Sequence, residues 1–273
     1  MEKDKPFIII TGGSRGLGLA TAQYLSKLQW NLIIIDISKE ASSVYKESRN
    51  ISHVNNKLKN NNIVDYYYGD LSIEKNVKKI FSKIKKKYKK IDGLVTFAGG
   101  DITGKDKKAG GGKAKNNNLF INDKDFKDVF NRNFYSTYYS VKNCIPIMKK
   151  NNFGKIVTIS SILATFGNEN EFAYSSSKSN IIHLTRSAAA HCRKWNINVN
   201  CIAPSGVKTA RFLSTMRSRS KHDLARLKNK KKLLSFAEKS DVAKVVYFLL
   251  SDLSSFVSGQ VIKLDGGEIL SAI

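Results

Sequence analysis

The 273-residue sequence predicts an α/β fold, a doubly wound parallel sheet of about seven strands with helices on both faces. Three observations carry this. Apolar runs of strand length alternate with segments of helical period along most of the chain. The runs are continuous in Ile and Val, as strands buried on both faces should be. The connections are short, so successive strands are joined by right-handed crossovers into a parallel sheet.

The strands are expected at Phe7–Thr11, Asn31–Asp36, Ile63–Gly69, Gly93–Ala98, Lys155–Ser160, Asn198–Ala203 and Gln260–Leu264. The helices between them are expected at Leu17–Leu28, Lys39–Lys59, Ile73–Tyr88, Asp123–Lys149, Phe172–Lys194 and Asp241–Leu250. In the third, Val77, Ile80, Phe81, Ile84 and Tyr88 recur at steps of three and four, which gives one apolar stripe under a lysine face. The fourth and fifth carry apolar residues on more than one face: Phe130, Phe134, Tyr138, Val141 and Ile145, then Ile181, Leu184, Ala188 and Ala189. Trp30 and Trp195 end helices and are expected to pack against the sheet. No repeat or composition break marks a second unit, so residues 1–273 read as a single domain. Two stretches escape the alternation. The 100–122 loop has a polar, low-complexity middle, TGKDKKAGGGKAKNNN, and is expected to be flexible. The long basic segment 204–236 is expected to form a lid over the carboxyl ends of the strands, where open α/β sheets bind ligands.

Composition narrows the function classes. A 41% hydrophobic chain is too apolar to be disordered, and its short apolar runs span no bilayer. The opening MEKDKPFIII lacks the apolar core of a secretory signal. Cys144, Cys192 and Cys201 form neither a disulfide framework nor a metal spacing, which points to a reduced, cytoplasmic setting. The formal charge of +25 comes from 38 Lys against 9 Arg, beside 24 Asn. Nucleic-acid surfaces recruit the arginine fork, so a solvated lysine surface is the better reading than a nucleic-acid partner. His53, His183, His191 and His222 make no ligand cluster, and no metal is assigned.

Two motifs carry chemistry. Thr11-Gly12-Gly13-Ser14-Arg15-Gly16-Leu17-Gly18 follows a strand and opens a helix, so its glycines let backbone approach a pyrophosphate at the positive helix end. Asp36 ends the next strand, where a carboxylate accepts hydrogen bonds from an adenosine ribose and repels a 2′-phosphate. Further on, Tyr174 and Lys178 lie at i and i+4 on one helix face. A phenol with a pKa of about 10 is a poor base at neutral pH, and a neighbouring ammonium lowers that value. Ser161 ends the strand before them and offers a hydroxyl to a substrate carbonyl.

With these residues in order, the chain resembles the short-chain dehydrogenase/reductases from near Phe7 to Gly267. TGGSRGLG resembles that family's TGxxxGxG. Asp70-Leu71 resembles its adenine contact, Asn133 its catalytic Asn, and Ser161, Tyr174 and Lys178 its Ser…YxxxK set. Pro204-Ser205-Gly206-Val207-Lys208-Thr209 resembles PGxVxT, and Ser258-Gly259-Gln260 with Asp265-Gly266-Gly267 resembles TGQ…DGG. The family's NNAG is Thr96-Phe97-Ala98-Gly99 here, and its PG is Pro204-Ser205.

The resemblance implies a Rossmann fold and hydride transfer between a carbonyl and a secondary alcohol, with NAD(H) preferred because of Asp36 and NADP(H) as the other candidate. Gly12, Ser14, Arg15, Gly16, Leu17, Gly18, Asp36, Asp70, Leu71, Ala98, Gly99, Val207 and Thr209 would hold the cofactor together with Tyr174 and Lys178. Tyr174 would be the acid/base, Ser161 would polarise the carbonyl, Lys178 would tune the phenol and bind the ribose, and Asn133 would hold a relay water. An NADPH-dependent 3-oxoacyl-carrier-protein reductase is the alternative, since Arg15 could pair a 2′-phosphate. A non-catalytic nucleotide sensor or RNA-binding protein is more remote. The family pairs the Asp123–Lys149 and Phe172–Lys194 helices across a two-fold axis, which implies a homodimer or homotetramer. The substrate is a small carbonyl or alcohol. Lys105, Lys107, Lys108, Lys113, Arg211, Arg217 and Arg219 leave room for an anionic one.

Overall fold

Buried Ile-rich strands and amphipathic helices assemble into a three-layer α/β architecture in the computed structural model, which describes residues 5–100, 116–216 and 220–270. The strands are β1 (Phe7–Thr11), β2 (Asn31–Asp36), β3 (Val64–Tyr68), β4 (Gly93–Thr96), β5 (Gly154–Ile159), β6 (Ile197–Pro204) and β7 (Val261–Leu264). All pair in parallel in the order β3-β2-β1-β4-β5-β6-β7. The order reverses between β1 and β4, and a crevice opens at their carboxyl ends. The glycine–lysine middle of the 100–122 loop lies outside the described residues, with Lys105, Lys107, Lys108 and Lys113. Arg217 and Arg219 do so too.

The helices are α1 (Gly16–Lys27), α2 (Ile51–Leu58), α3 (Glu74–Lys87), α4 (Asp123–Phe130), α5 (Ser136–Lys149), α6 (Phe172–Cys192), α7 (Ala210–Ser214), α8 (Lys221–Lys228) and α9 (Lys239–Leu250). Side chains alternate across each strand, so β1 sends Ile8 and Ile10 to one face and Ile9 to the other. One face packs with Leu19, Leu25, Val54 and Val246 from α1, α2 and α9, and the other with Val77, Ile84, Val141 and Ala188 from α3, α5 and α6. On α3 the buried residues Val77, Ile80, Phe81 and Ile84 are those of the apolar stripe, while its lysines are all exposed, Lys78 pairing with Glu74 and Lys87 with Asp65. Three of the lysines fall in the last turn, where they offset the negative end of the helix dipole. Trp30 and Trp195 each pack against one of the two cores. All three cysteines are buried and free.

Two expected helices are interrupted. The Lys39–Lys59 helix breaks into a single 3-10 segment, Lys39–Ser43, and α2. Lys46 takes a left-handed φ of 57°, and Asn50 restarts the helix by accepting from the His53 amide at 2.9 Å. The Asp123–Lys149 helix carries a π-type turn at Asn131–Tyr135, one residue wider than an α turn, which divides α4 from α5. The third and fourth strands end at Tyr68 and Thr96, short of Gly69 and Ala98. Among the described residues no helix is long and apolar enough to cross a membrane, and no group of His, Cys, Asp and Glu is placed to hold a metal.

Candidate active site

The crevice begins at the turn from β1 to α1. Gly12 has a φ of 66°, and a Cβ there would come within 2.9 Å of the Ala98 nitrogen. A Cβ on Gly18 would lie 2.2 Å from the Gly12 carbonyl oxygen. The turn and the first turn of α1 therefore close only with hydrogen at both positions. A Cβ on Gly16 would meet nothing within 4 Å, so the backbone at the start of α1 faces open space. The Ser14 hydroxyl is buried without a protein partner. Close-packed glycines behind, open space on the Cβ side of the helix start and an orphan hydroxyl make a cradle that suits a dinucleotide.

Asp36 stands at one end of this cradle. Its side chain accepts from the amides of Ser14, at 3.0 Å, and Ile37, at 2.8 Å, so β2 and the glycine turn are tied through one carboxylate. Arg15 donates to the Ala41 carbonyl at 3.3 Å and lies over the Tyr45 ring. On the β4 side, the Ala98 amide donates to the Thr11 hydroxyl at 3.1 Å. That bond joins β4 to β1 where the sequence has Thr96-Phe97 in place of two asparagines.

The residues expected to react sit past the ends of β4 and β5. Ser161 starts a short 3-10 turn, its hydroxyl accepting from the Leu163 amide at 3.2 Å. Lys178 is buried on α6 and donates to the Ile159 carbonyl at 2.9 Å, while Ser160 donates to the Lys178 carbonyl at 2.8 Å. The end of β5 thus fixes both the serine and the lysine. The Lys178 ammonium stands 5.7 Å from the centre of the Tyr174 ring. Asn133, wholly buried in the π-type turn, donates to the carbonyls of Gly100 and Val129 at 2.7 and 2.8 Å and accepts from the Gly100 amide at 2.9 Å. A Cβ on Gly99 would meet the Asn133 Oδ1 at 2.7 Å and the Lys178 Nζ at 3.7 Å, so the two side chains flank one glycine.

Residues of the 204–236 segment form the outer wall. The Pro204-Ser205 departure leaves the turn intact, because the Ser205 amide donates to the Leu264 carbonyl at 3.0 Å. The required glycine is Gly206, where a Cβ would meet the Phe236 ring at 2.5 Å. Val207 pairs with Ala237, and Thr209 caps α7 by accepting from the Phe212 amide at 3.1 Å. The Asp265-Gly266-Gly267 turn is closed by Asp265, which accepts from the amides of Gly267 and Ile269.

One cavity of about 540 Å³ runs from the glycine turn to the 204–236 segment. Gly12, Arg15, Gly16, Leu17, Gly18, Asp36, Asp70, Leu71, Ala98, Gly99, Ser161, Tyr174, Lys178, Val207 and Thr209 all line it. Of the expected site residues only Ser14 and Asn133 stand behind its wall. Along the cavity the glycine turn comes first, then Asp36, then Ser161, Tyr174 and Lys178 at the far end. Residues 12–268 match the family model described as enoyl-(acyl carrier protein) reductase.

The chain belongs to the short-chain dehydrogenase/reductases.

It is therefore an oxidoreductase. A 3-oxoacyl-[acyl-carrier-protein] reductase FabG of Thermotoga maritima is 30% identical over 273 residues, spanning 99% of this chain and 100% of the relative. A levodione reductase of Leifsonia aquatica is 26% identical over 268 residues, with 96% and 93% covered. The solved structure titled ElxO with NADP bound superposes with a TM-score of 0.80 at 28% identity, covering 96% of this chain and 98% of that one. Within this short-chain dehydrogenase/reductase, several wall residues carry no local sequence signal: Tyr45 and Glu47 from the β2–α2 segment, Arg132 from the π-type turn, Phe236, and Arg226 paired to Glu268 at 2.8 Å. Arg211, the one described member of the expected basic loop and lid set, packs against Gly100 in the same wall.

Proposed function

We propose that this enzyme interconverts a carbonyl and a secondary alcohol with a nicotinamide dinucleotide, NAD(H) in preference to NADP(H). The observation that carries the reading is the placement of Ser161, Tyr174 and Lys178 in one cavity with the glycine cradle. Gly12, Gly16, Leu17 and Gly18 would hold the pyrophosphate, Asp36, Asp70 and Leu71 the adenosine, and Ala98, Gly99, Val207 and Thr209 the nicotinamide end. The bound dinucleotide supplies or accepts the hydride. The Ser161 hydroxyl donates to the substrate oxygen and polarises it. The Tyr174 hydroxyl gives that oxygen its proton in reduction and removes it in oxidation. Lys178 favours the phenolate by its charge and, held by Ile159, stays beside the tyrosine in either direction. Asn133 acts as a positioning residue. Its amide group is engaged by Gly100 and Val129, so its part is to fix Gly99–Gly100 against Lys178 rather than to face the substrate.

Asp36 supports the NAD(H) preference, because a 2′-phosphate would meet a carboxylate already held in place by two amides. At ~4 Å such a pair repels by about 1 to 4 kcal/mol per unit charge, depending on the local dielectric. The second reading, an NADPH-dependent 3-oxoacyl-carrier-protein reductase, is favoured by Arg15 in the cavity wall and by the names of the relatives. Fluorescence titration with both reduced dinucleotides separates the two. Tighter binding of NADH is expected, by at least about fivefold, given that repulsion. Equal or tighter NADPH binding would promote Arg15 over Asp36.

Association into a homodimer or homotetramer is also proposed. Phe126, Phe130, Phe134, Tyr135, Tyr138 and Tyr139 form a chain of touching rings along α4 and α5, and each remains partly exposed. A half-exposed aromatic row of that length suits an isologous interface. Because the π-type turn between these helices carries Asn133, association would stiffen the site. Light scattering at micromolar concentration is expected to show at least twice the chain mass of 30.5 kDa. An active species of the chain mass would refute the interface.

A further inference from the structure

Glu47 lies eleven residues beyond Asp36, in the irregular segment between the 3-10 turn Lys39–Ser43 and α2. Its carboxylate does not face solvent. One oxygen accepts from the Gly16 amide at 2.6 Å, the other pairs with the Lys239 ammonium at 2.9 Å, and the side chain is 11% exposed. The Ala210 amide donates to it as well. Burial works against its charge, but the Gly16 amide, Lys239 and the Ala210 amide outweigh burial and hold the carboxyl below the usual carboxylate range. The segment that delivers it is fixed on both sides: Tyr45 lies under the Arg15 guanidinium, and Lys57 donates to the Glu47 carbonyl.

Gly16 opens α1 at the centre of the glycine cradle. Its amide is one of the donors that the motif presents to an anion, and a twelve-residue helix adds its positive end there. That donor is given to a carboxylate, in a short charge-assisted bond. One N–H cannot serve Glu47 and a pyrophosphate together, and two anions this close repel. We propose that Glu47 is a resident anion in the phosphate seat: it straps residues 44–49 across the dinucleotide cleft, and the dinucleotide's pyrophosphate must displace it to bind. The left-handed backbone at Lys46 and the cap at Asn50 bound a short stretch that can swing while the Lys39–Ser43 turn and α2 stay in place. The inference rests on the dinucleotide reading above.

The test uses the full chain and its Glu47→Gln and Glu47→Ala variants, with NADH and NADPH as probes. Removing the competing charge is expected to tighten both dinucleotides about tenfold, the weight of one hydrogen bond to a charged group, and to raise the association rate. The KM for dinucleotide falls. Trypsin supplies the second readout, since Lys46 and Arg49 flank the carboxylate. In the wild-type protein, dinucleotide is expected to speed cleavage after these two residues. In Glu47→Gln cleavage is fast from the start. Unchanged or weaker affinity in variants that keep the wild-type melting temperature would overturn the strap while leaving the cofactor reading in place. Protection of Lys46 and Arg49 by dinucleotide would do the same, because it would show a segment that closes over the cofactor instead of yielding to it. If neither wild type nor variants bind either dinucleotide, the cofactor reading falls and takes the strap with it.

Discussion

Tyr174→Phe is expected to cut turnover by a factor on the order of 10³ while leaving dinucleotide affinity within about twofold. The variant loses one oxygen and keeps the ring. Its ring stands beside the Lys178 ammonium, whose own anchor is the Ile159 carbonyl on β5, so the lysine has no reason to move. Only the proton carried at the substrate oxygen is lost. Lys178→Met supplies the contrast. It removes the charge next to the phenol and the bond to Ile159 in one step, so turnover and dinucleotide affinity should fall together. The two are separated by steady-state kinetics on a reducible carbonyl and by fluorescence titration of the dinucleotide. Near-wild-type turnover in Tyr174→Phe would show that the proton moves by another route, and the Ser161, Tyr174, Lys178 reading would fail.

Much of this site is legible in the sequence because its parts are local. The glycine turn, the carboxylate at the end of the second strand and the tyrosine and lysine one helical turn apart are each set by a few neighbouring residues. Alternation of apolar runs then fixes which strand ends they decorate, and all but Ser14 and Asn133 line one cavity. What escaped is non-local. Periodicity across Lys39–Lys59 reads as one helix because its apolar spacing does not record that Glu47 is drawn to Gly16, thirty-one residues earlier, and to Lys239, 192 residues later. Asn133 reads as a water holder from its place in a motif. Its place in the π-type turn adds what the motif does not record: the side chain clasps both the amide and the carbonyl of Gly100, which takes a donor and an acceptor. Part of the charge of +25 likewise has a local explanation along α3, where the dense lysine run is the solvent face of an amphipathic helix.

Gly18→Ala is expected to damage both stability and cofactor binding, although alanine is the better helix former by about 1 kcal/mol. Gly18 lies in the first turn of α1, so propensity alone predicts stabilisation. The geometry predicts the reverse. The added methyl would stand 2.2 Å from the Gly12 carbonyl oxygen and 2.9 Å from the Gly13 Cα, both backbone atoms that no rotamer change can move aside. Relief requires α1 to shift away from the turn, and α1 packs Leu19, Ala22 and Leu25 into the core on the β1 and β2 side. Overpacking of this kind costs about 1 to 3 kcal/mol, which outweighs the propensity gain. The shift also carries the Gly16 amide away from the seat it shares with Gly12, so dinucleotide affinity should drop by roughly tenfold or more, as each 1.4 kcal/mol of lost binding dictates. Thermal unfolding and dinucleotide titration on the same preparation decide the matter. A rise in melting temperature with affinity unchanged would mean that α1 and the glycine turn are not in contact as described, and the cradle itself would have to be redrawn.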